Sequence, residues 1–540
     1  MNYNVGIIVT SLQGGGAERC AADLSIIFGK QGYNVIIFTD LSLNVIYDFS
    51  GTLVDFSFSL NNIDGIESSE DVMKRKIEEL RDLKEQYHIV IAVSFMQLAN
   101  YINILSKGNE KVVLTTHSVN SEYAKYFKAV EWSEHTFKEL YQFADLITFP
   151  SDYCRTDWVE HYGDKNHITT TMYNPVHVMS VQEDRKKENV VIAVGRMQSV
   201  KRQWHIIRAF KLVRQKCPDS KLLILGDGPL RSRLEKLVSE LGLADDVEMP
   251  GNVINVQDYL QKAKILTITS RLEAMPCSVL EAFSAGVPVV ACDCPGGIRE
   301  QLNILHEQQN ITVPIRGDCG ILVPNIKEFY TNQFTEEEKM LADEIVYLLQ
   351  DDGLRCEMGK RARQRVECFL LEHIGEEWNK KISEIGLRQQ WDIQEFNKEK
   401  QKSFSALEAK ENSNIKMYIS YYQLLEQWML LREKKISVKH YFEKQGIRNI
   451  IIYGMGKMSH HLLEDLKGSD INIVCAIDKG AFHMNSEFPI ISGETEIPEA
   501  DCIIVTPVYD IDNIRRILER KTPVSVVSLS EVVAQCGHMM

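Results

Sequence analysis

Two glutamates stand eight positions apart in the stretch SRLEAMPCSVLEAFSAG, residues 270–286. The run KILTITSR before them predicts a strand, Pro276 suits the first turn of a helix, and Gly286 suits its end. Glu273 is therefore expected on the loop before the helix and Glu281 about five residues inside it. The sequence predicts two carboxylates on one strand–loop–helix unit.

The predicted spacing of these carboxylates limits their chemistry. At a rise of about 1.5 Å per residue, the helix and loop would separate them by roughly 10 Å. Glycosidase carboxylate pairs lie about 5 to 5.5 Å apart in retaining enzymes and about 6.5 to 9.5 Å apart in inverting ones. The spacing favours two contacts to one long ligand, with the N–H groups of the helix start facing it. The alternative is structural, with Glu273 at a helix start and Glu281 on an exposed helix face.

Two cations, Arg196 and Lys201, follow a predicted strand that ends at Gly195 in the run VVIAVGR, and they lie on a short loop before the next helix. Cations at the carboxyl end of a parallel strand suit a diphosphate. For a single Lys or Arg, solvated surface charge is the commoner role. Their position at a crevice-facing strand end favours binding.

Glycine turns follow two further strands. TSLQGGGAER places Gly15 and Gly16 before a helix that begins at about Ala17, where the backbone can approach an anion closely. LILGDGPLRSRLE places Gly226 and Gly228 where they would keep a crevice wall free of side chains. Such turns are common in α/β folds, so an ordinary structural role is equally compatible with each one alone.

Buried β-branched runs alternate with amphipathic helical patterns along most of the chain, which is typical of parallel sheets. We predict an α/β protein of two Rossmann-like domains plus a third small C-terminal Rossmann-like domain. The expected divisions of the 540 residues are 1–175, 176–385, a helical linker at 386–444, and 445–540. A cleft between the first two domains is expected to bind the ligand.

The composition is globular, with 44% hydrophobic and 25% charged residues. A formal charge of −14 disfavours nucleic acid as a partner. The twelve cysteines form no CxxC pair, and CDC at Cys292 and Cys294 supplies too few ligands for a metal. Neither a signal sequence nor a membrane-spanning run is evident, which predicts a cytoplasmic protein, at most peripheral to the inner face of the membrane.

The predicted third domain carries two incomplete motifs. YGMGKMS has Gly454 and Gly456 of a GxGxxG fingerprint but Ser459 at its third position, so a dinucleotide or nucleotide-sugar site stays open. YDIDN contains Asp510 and Asp512 in a DxD spacing before a helix. Carboxylates at a helix start explain that pair better than a metal does, and no metal site is predicted.

In this order and spacing, GGGAER, GRMQSVK, GDGP and EAMPCSVLEA resemble the retaining GT-B glycosyltransferases of glycosyltransferase family 4. The resemblance covers about residues 1 to 385. In that family a nucleotide sugar binds between two Rossmann-like domains without a metal. The resemblance implies that Arg196 and Lys201 bind the diphosphate, that Glu281 holds the ribose hydroxyls and that Glu273 contacts the transferred sugar.

Three further residues receive roles from the resemblance. Gly15 and Gly16 would approach the phosphates from the first domain, and His117, which ends KVVLTTH, matches a family histidine near the reacting sugar. Without the resemblance, His117 is a histidine at a strand end. The chain departs from the family in having Ala274 after Glu273 where Glu-Gly is frequent, which leaves the sugar open.

The expected function is retaining transfer of a sugar from a UDP-linked donor to a lipid-linked glycan in bacterial polysaccharide synthesis, with no cofactor required. A polyprenyl-diphosphate acceptor is favoured over a soluble one, while the oligomeric state stays open. One aromatic stripe with flanking lysines, residues 123–141, is expected to face the core rather than a membrane. The competing hypotheses are a nucleotide-sugar-binding scaffold or sensor without turnover, and an NAD-dependent oxidoreductase.

Overall fold

A computed structural model describes most of the chain. The described residues are 3–41, 44–58, 69–122, 136–177, 187–253, 255–304, 310–326, 333–385, 424, 428, 431, 436–478, 488–492, 495–507 and 511–537. The chain divides into two compact units, Met1–Leu407 and Glu408–Met540.

The first unit begins with a parallel sheet that, in the described part of the chain, has seven strands. They are β1 (Asn4–Ile8), β2 (Asn34–Thr39), β3 (Thr52–Asp55), β4 (Ile89–Phe95), β5 (Lys111–Thr115), β6 (Leu146–Phe149) and β7 (Thr169–Thr171). Their order across the sheet is β3-β2-β1-β4-β5-β6-β7. Their Val, Ile and Phe side chains are mostly buried, as strands with both faces covered require.

Helices cover both faces of this sheet. They are α1 (Gly16–Lys30), α2 (Ser69–Gln86), α3 (Gln97–Leu105) and α4 (Asp152–Tyr162), with short helical turns at Thr136–Leu140 and Tyr141–Phe143. Most of the stripe at 123–141 lies outside the described residues. Its described end, Leu140 and Tyr141, is buried in the core.

A second sheet of the first unit also has seven strands among the described residues. They are β8 (Val190–Val194), β9 (Lys221–Leu225), β10 (Val247–Gly251), β11 (Ile265–Ile268), β12 (Val289–Cys292), β13 (Ile315–Arg316) and β14 (Gly320–Val323). The order is β10-β9-β8-β11-β12-β14-β13, with only the β13–β14 pair antiparallel among these strands.

Seven described helices surround the second sheet or follow it in the chain. They are α5 (Gln203–Lys216), α6 (Arg231–Glu240), α7 (Val256–Leu260), α8 (Cys277–Ser284), α9 (Ile298–Gln301), α10 (Glu336–Gln350) and α11 (Asp352–Val366). The start of α10 is fixed by a capping box, in which the Thr335 side chain accepts from the N–H of Glu338 and the Glu338 carboxylate accepts from the N–H of Thr335.

The chain crosses between the two sheets twice, and the crossings lie side by side. Val176, on the outward crossing, donates its N–H to the carbonyl of Phe369, on the return crossing, at 2.8 Å. The following helix, α12 (Leu371–Ile385), packs on α1 of the first sheet, where Gln31 donates to the Gly375 carbonyl at 2.5 Å. The predicted division at 385 placed this helix in the second domain, whereas its packing joins it to the first sheet.

The second unit contains a parallel sheet with five strands among the residues described. They are β15 (Asn449–Tyr453), β16 (Asn472–Ile477), β17 (Ile490–Ile491), β18 (Cys502–Val505) and β19 (Ser525–Ser528), in the order β17-β16-β15-β18-β19. Its described helices are α13 (Lys439–Gln445), α14 (Lys457–Leu466), α15 (Ile511–Glu519) and α16 (Leu529–Gly537). Three sheets with largely parallel strands confirm the predicted fold class.

Candidate active site

The candidate site lies where the strands of the first unit's two sheets reach their carboxyl ends. The glycine loop after β1 leads into α1, and the loops after β8, β9 and β11 lead into α5, α6 and α8. Ligand crevices in open parallel sheets form at this edge. Side-chain contacts join the loops of the two sheets directly.

Glu273 lies on the loop between β11 and α8 and is 8% exposed. Its Oε1 accepts from Lys201 Nζ at 2.6 Å and from Ser270 Oγ at 2.6 Å. No hydrogen bond to Oε2 is found among the described residues. The lysine therefore offsets the charge of a buried carboxylate whose second oxygen is free to accept from a ligand hydroxyl.

The backbone of Glu273 is held by the loop after β12. Its N–H donates to the Pro295 carbonyl and its carbonyl accepts from the N–H of Gly297, both at 3.0 Å. Asn174, on the outward crossing, donates to the Met275 carbonyl at 3.0 Å, and Gln301 of α9 donates to the Pro276 carbonyl at 3.0 Å. The loop carrying Glu273 is thus anchored on several sides.

Glu281 is the fifth residue of α8, at the predicted depth in the helix, and is 6% exposed. This burial rules out the alternative of an exposed helical residue. The guanidinium of Arg19, on α1 of the first sheet, donates to Glu281 Oε1. Burial raises the pKa of the Glu281 carboxyl, and the charge of Arg19 opposes that rise.

Arg19 is itself held by a second carboxylate. Asp23, one helical turn further along α1, lies 3.8 Å from Arg19 Nε through Oδ2. Asp23 is 4% exposed, and its Oδ1 lies 2.7 Å from Nε2 of His177, just after the outward crossing. A chain of four polar groups therefore runs from the domain crossing to Glu281.

Arg196, on the loop after β8, reaches the glycine loop of the first sheet. Its guanidinium donates to the Gly14 carbonyl and lies 3.8 Å from Glu18 Oε1. A side chain on Gly15 would collide with the Glu18 carboxylate and approach Arg196 Nη2 to 3.1 Å. Gly15 thus permits a close approach that any larger residue would block.

The absence of a side chain has a different structural effect at Gly16 and at Gly226. A Cβ on Gly16 would lie 3.3 Å from the Cys277 sulfur, so the helix starts of α1 and α8 approach closely here. A Cβ on Gly226 would collide with the Gly195 carbonyl. The space at Gly226 is filled by protein backbone, so packing of the loops after β8 and β9 requires this glycine.

His117 follows β5 and stacks on Phe95 with ring centroids 5.5 Å apart. It lines a cavity of about 20 Å³, large enough for about one water, together with Cys20 and Asn174. Burial lowers the pKa of His117 to about 4, so its imidazole is neutral at neutral pH. Asn174 is the link between this cavity and the loop of Glu273.

Sequence reasoning missed the residues that complete these contacts. Arg19 and Asp23 stand four apart on α1, a spacing that places both on one helix face. Tyr47 exchanges hydrogen bonds with the backbone of Gly15, at 3.0 and 3.2 Å, and nothing in the sequence pattern marks it. Gly297 belongs to a Pro-Gly-Gly run after β12, a turn signal that could have been read.

Within the described ranges, no three His, Cys, Asp or Glu side chains are grouped to hold a metal ion. No helix in those ranges is long and apolar enough to span a membrane. Asp512 lies in the first turn of α15, while Asp510 falls outside these ranges.

Comparison with known protein families matches the two halves of the first unit separately. Residues 14–179 match the family described as Glycosyltransferase Family 4. Residues 179–365 match the family described as Glycosyl transferases group 1. The two matches meet at residue 179.

Two curated relatives illustrate the range of similarity. An uncharacterized glycosyltransferase of Methanocaldococcus jannaschii is 31% identical over 264 residues, which is 45% of this chain and 64% of the relative, so the match spans somewhat under two thirds of that protein. An enzyme of Campylobacter jejuni is 24% identical over 71% of this chain and 98% of its own length. It is named GalNAc-alpha-(1->4)-GalNAc-alpha-(1->3)-diNAcBac-PP-undecaprenol alpha-1,4-N-acetyl-D-galactosaminyltransferase.

Two solved structures share the fold. Sucrose-phosphate synthase from Thermosynechococcus elongatus superposes with a TM-score of 0.58 at 19% identity, covering 71% of this chain and 99% of its own. HepE of Anabaena, solved in complex with UDP, has a TM-score of 0.54 at 17% identity and covers 71% and 100%.

Two Rossmann-like domains that meet at the carboxyl ends of their strands define a GT-B protein. The family matches and the relatives place the chain more narrowly. It belongs to the GT-B glycosyltransferases of the family 4 type, with a third Rossmann-like domain at its C-terminal end.

Proposed function

We propose that this protein transfers a sugar from a UDP-linked donor to a lipid-linked glycan, with retention of the anomeric configuration, in bacterial glycan synthesis. The observation that carries the proposal is the buried Glu273 carboxylate, which Lys201 and Ser270 bind through one oxygen at the carboxyl edge of the second sheet. Its other oxygen would accept from hydroxyls of the transferred sugar.

Departure of the nucleoside diphosphate concentrates negative charge on its phosphates. Lys201 would neutralise part of that charge, and Arg196 would exchange the Gly14 carbonyl for a phosphate oxygen. The N–H groups at the start of α8 add partial positive charge. Removing one such preorganised group costs roughly 3 kcal/mol of transition-state stabilisation.

The rest of the site would bind the nucleotide and handle the acceptor proton. Glu281 would accept from the ribose hydroxyls through the oxygen that Arg19 leaves free. Gly15 and Gly16 would let the first domain's backbone approach the phosphates. The departing phosphate would take the acceptor's hydroxyl proton, so this mechanism assigns no separate base, and His117 would border the sugar as a neutral group.

Support for the substrates comes from similar proteins. The Campylobacter relative, aligned over 98% of its length, is named for an undecaprenol-diphosphate-linked glycan. UDP is bound in the HepE structure. The bound UDP favours a UDP donor, and the substrate for which the Campylobacter enzyme is named favours a polyprenyl-diphosphate acceptor over a soluble one.

The first experiment measures thermal stability of the full chain with UDP, GDP, ADP and NAD, beside Arg196→Ala. A nucleotide present at 100 times its dissociation constant raises the free energy of unfolding by about 2.7 kcal/mol. Stabilisation by UDP that Arg196→Ala weakens supports the proposal, whereas stabilisation by NAD alone supports the oxidoreductase hypothesis.

The second experiment incubates the protein with UDP-sugars and either a polyprenyl-diphosphate glycan or a soluble glycan. UDP binding without turnover of any donor would indicate a scaffold or sensor.

A further inference from the structure

Arg19 is a cation of the first domain that contacts a carboxylate of the second. It lies on α1, directly after the glycine loop, and donates to Oε1 of Glu281 on α8. The Arg19 side chain is 31% exposed and that of Glu281 is 8% exposed. A charged hydrogen bond between partly and fully buried groups fixes the carboxylate more firmly than a surface pair would.

The contact leaves half of the carboxylate available. No hydrogen bond reaches Glu281 Oε2 from the described residues, and Gln257 contacts only the Glu281 backbone carbonyl, at 3.4 Å. An arginine that donates to one oxygen orients the other. Arg19 therefore determines which oxygen of Glu281 is left without a hydrogen bond from the described residues.

The surroundings of the pair are mostly acidic. Asp23 lies 3.8 Å from Arg19 Nε, and its negative charge raises the pKa of Glu281, as burial does to a greater extent. His177 in turn contacts Asp23 at 2.7 Å. Among the described residues, the other titratable groups that interact with Arg19 are Tyr47, Cys277 and Cys20. Arg19 is thus the cation whose charge opposes the rise in the pKa of Glu281 that burial and Asp23 cause.

We propose that Arg19 is a positioning residue for nucleotide binding, which holds Glu281 ionised and turns its free oxygen toward the ribose of the nucleotide. The inference rests on the proposed function, because it needs a nucleotide on Glu281. It also means that the nucleotide site is complete only while α1 lies against α8, so the first domain contributes to donor affinity without touching the donor through this side chain.

The test measures UDP affinity by calorimetry between pH 5.5 and 8.5 for wild type, Arg19→Met and Arg19→Lys. Lys30→Met is the matched control, because Lys30 lies on the same helix in an exposed pair with Glu372 at 3.9 Å. Each variant is compared with wild type at the same pH, which removes the titration of the UDP phosphate, whose pKa is about 6.

We expect Arg19→Met to weaken UDP binding about tenfold at pH 7, with a larger loss at pH 5.5 and a smaller one at pH 8.5. The reason is that Glu281 protonates more readily without the guanidinium. Arg19→Lys should restore most of the affinity, and Lys30→Met should match wild type at every pH.

Three results would each overturn the inference alone. In the first, Arg19→Met binds UDP as wild type does at all pH values. In the second it binds more tightly, so that Arg19 obstructs the ribose. In the third, the loss of affinity is equal at all pH values and is not restored by Arg19→Lys. If wild type itself binds no UDP, the proposed function fails first and takes the inference with it.

Discussion

The two glutamates of the site are both buried and both bound by a cation, but their cations come from different places. Lys201 reaches Glu273 from a loop of the same sheet, at 2.6 Å. Arg19 reaches Glu281 from the other sheet. The first pair is therefore built within one domain, whereas the second forms only where two domains meet. Binding of the sugar would then depend on a contact within one domain, whereas binding of the ribose would depend on a contact between two domains.

The largest expected effect that separates the pairs is on turnover. Glu273→Gln should lower kcat roughly 10²- to 10³-fold, because a neutral amide stabilises the reacting sugar less than a carboxylate does. UDP affinity should stay within about threefold of wild type, since Glu273 is assigned to the sugar. Single-turnover transfer together with UDP titration measures both. Retention of a tenth or more of wild-type kcat would remove Glu273 from the reaction.

Lys201→Ala removes the cation from the Lys201–Glu273 pair, which lies within one domain. We expect UDP binding to weaken roughly 30-fold and the free energy of unfolding to fall by about 2 kcal/mol, because among the described residues Ser270 is then the one remaining hydrogen-bond partner of the buried Glu273 carboxylate. The double variant with Glu273→Gln should regain much of the stability but not the affinity. Chemical denaturation measures the stability, and strictly additive losses would show that the pair is not coupled.

Glu281→Gln tests the pair between domains. UDP affinity should fall about tenfold, because an amide accepts more weakly from ribose hydroxyls. Unlike Lys201→Ala, Glu281→Gln should not lower the free energy of unfolding at pH 7. The folded-state pKa of Glu281 lies above its ordinary value, so wild type loses stability as pH rises through that window. The variant lacks this loss and should melt no lower than wild type at pH 7, which scanning calorimetry at pH 4 and pH 7 checks.

His117→Phe probes a titrating group outside both pairs and should have the smallest effect. Because burial lowers the pKa of His117 to about 4, its contribution is present above pH 6.5 and is lost as pH falls toward 4. Lowering the pH from 7 to 5 should therefore reduce the free energy of unfolding of wild type by about 1 kcal/mol more than that of the variant. At pH 7 the titration of His117 should contribute almost no difference between the two proteins. Denaturation at both pH values measures the difference. Equal acid sensitivity of the two proteins would contradict the neutral assignment.

The same comparison shows what could be predicted from the sequence. Glu273 and Glu281, their helix and its preceding strand follow from local signals, namely an apolar β-branched run, a proline and a terminating glycine. The cation loop of Arg196 and Lys201 was also predicted, because it directly follows a strand. The sheets and the fold class were predictable for the same reason.

The contacts across the cleft could not be predicted, because they join residues far apart in the chain. Arg19 and Glu281 are 262 positions apart, and a single sequence gives no sign that they meet. Gly226 was predicted to keep a crevice wall free of side chains, and the sequence gives no sign that the Gly195 carbonyl fills the space beside it. Helix α12 was assigned to the second domain from its chain position, although its apolar face packs on α1.

The paired crossings near Val176 and Phe369 have a mechanical consequence. One connection between two bodies leaves them free to swivel, but two adjacent connections tied by a hydrogen bond act like a door hinge and restrict rotation largely to one axis. Rotation of the domains apart about that axis would separate Arg19 from Glu281. Lys201 and Glu273 would stay in contact, because both belong to the domain of the second sheet.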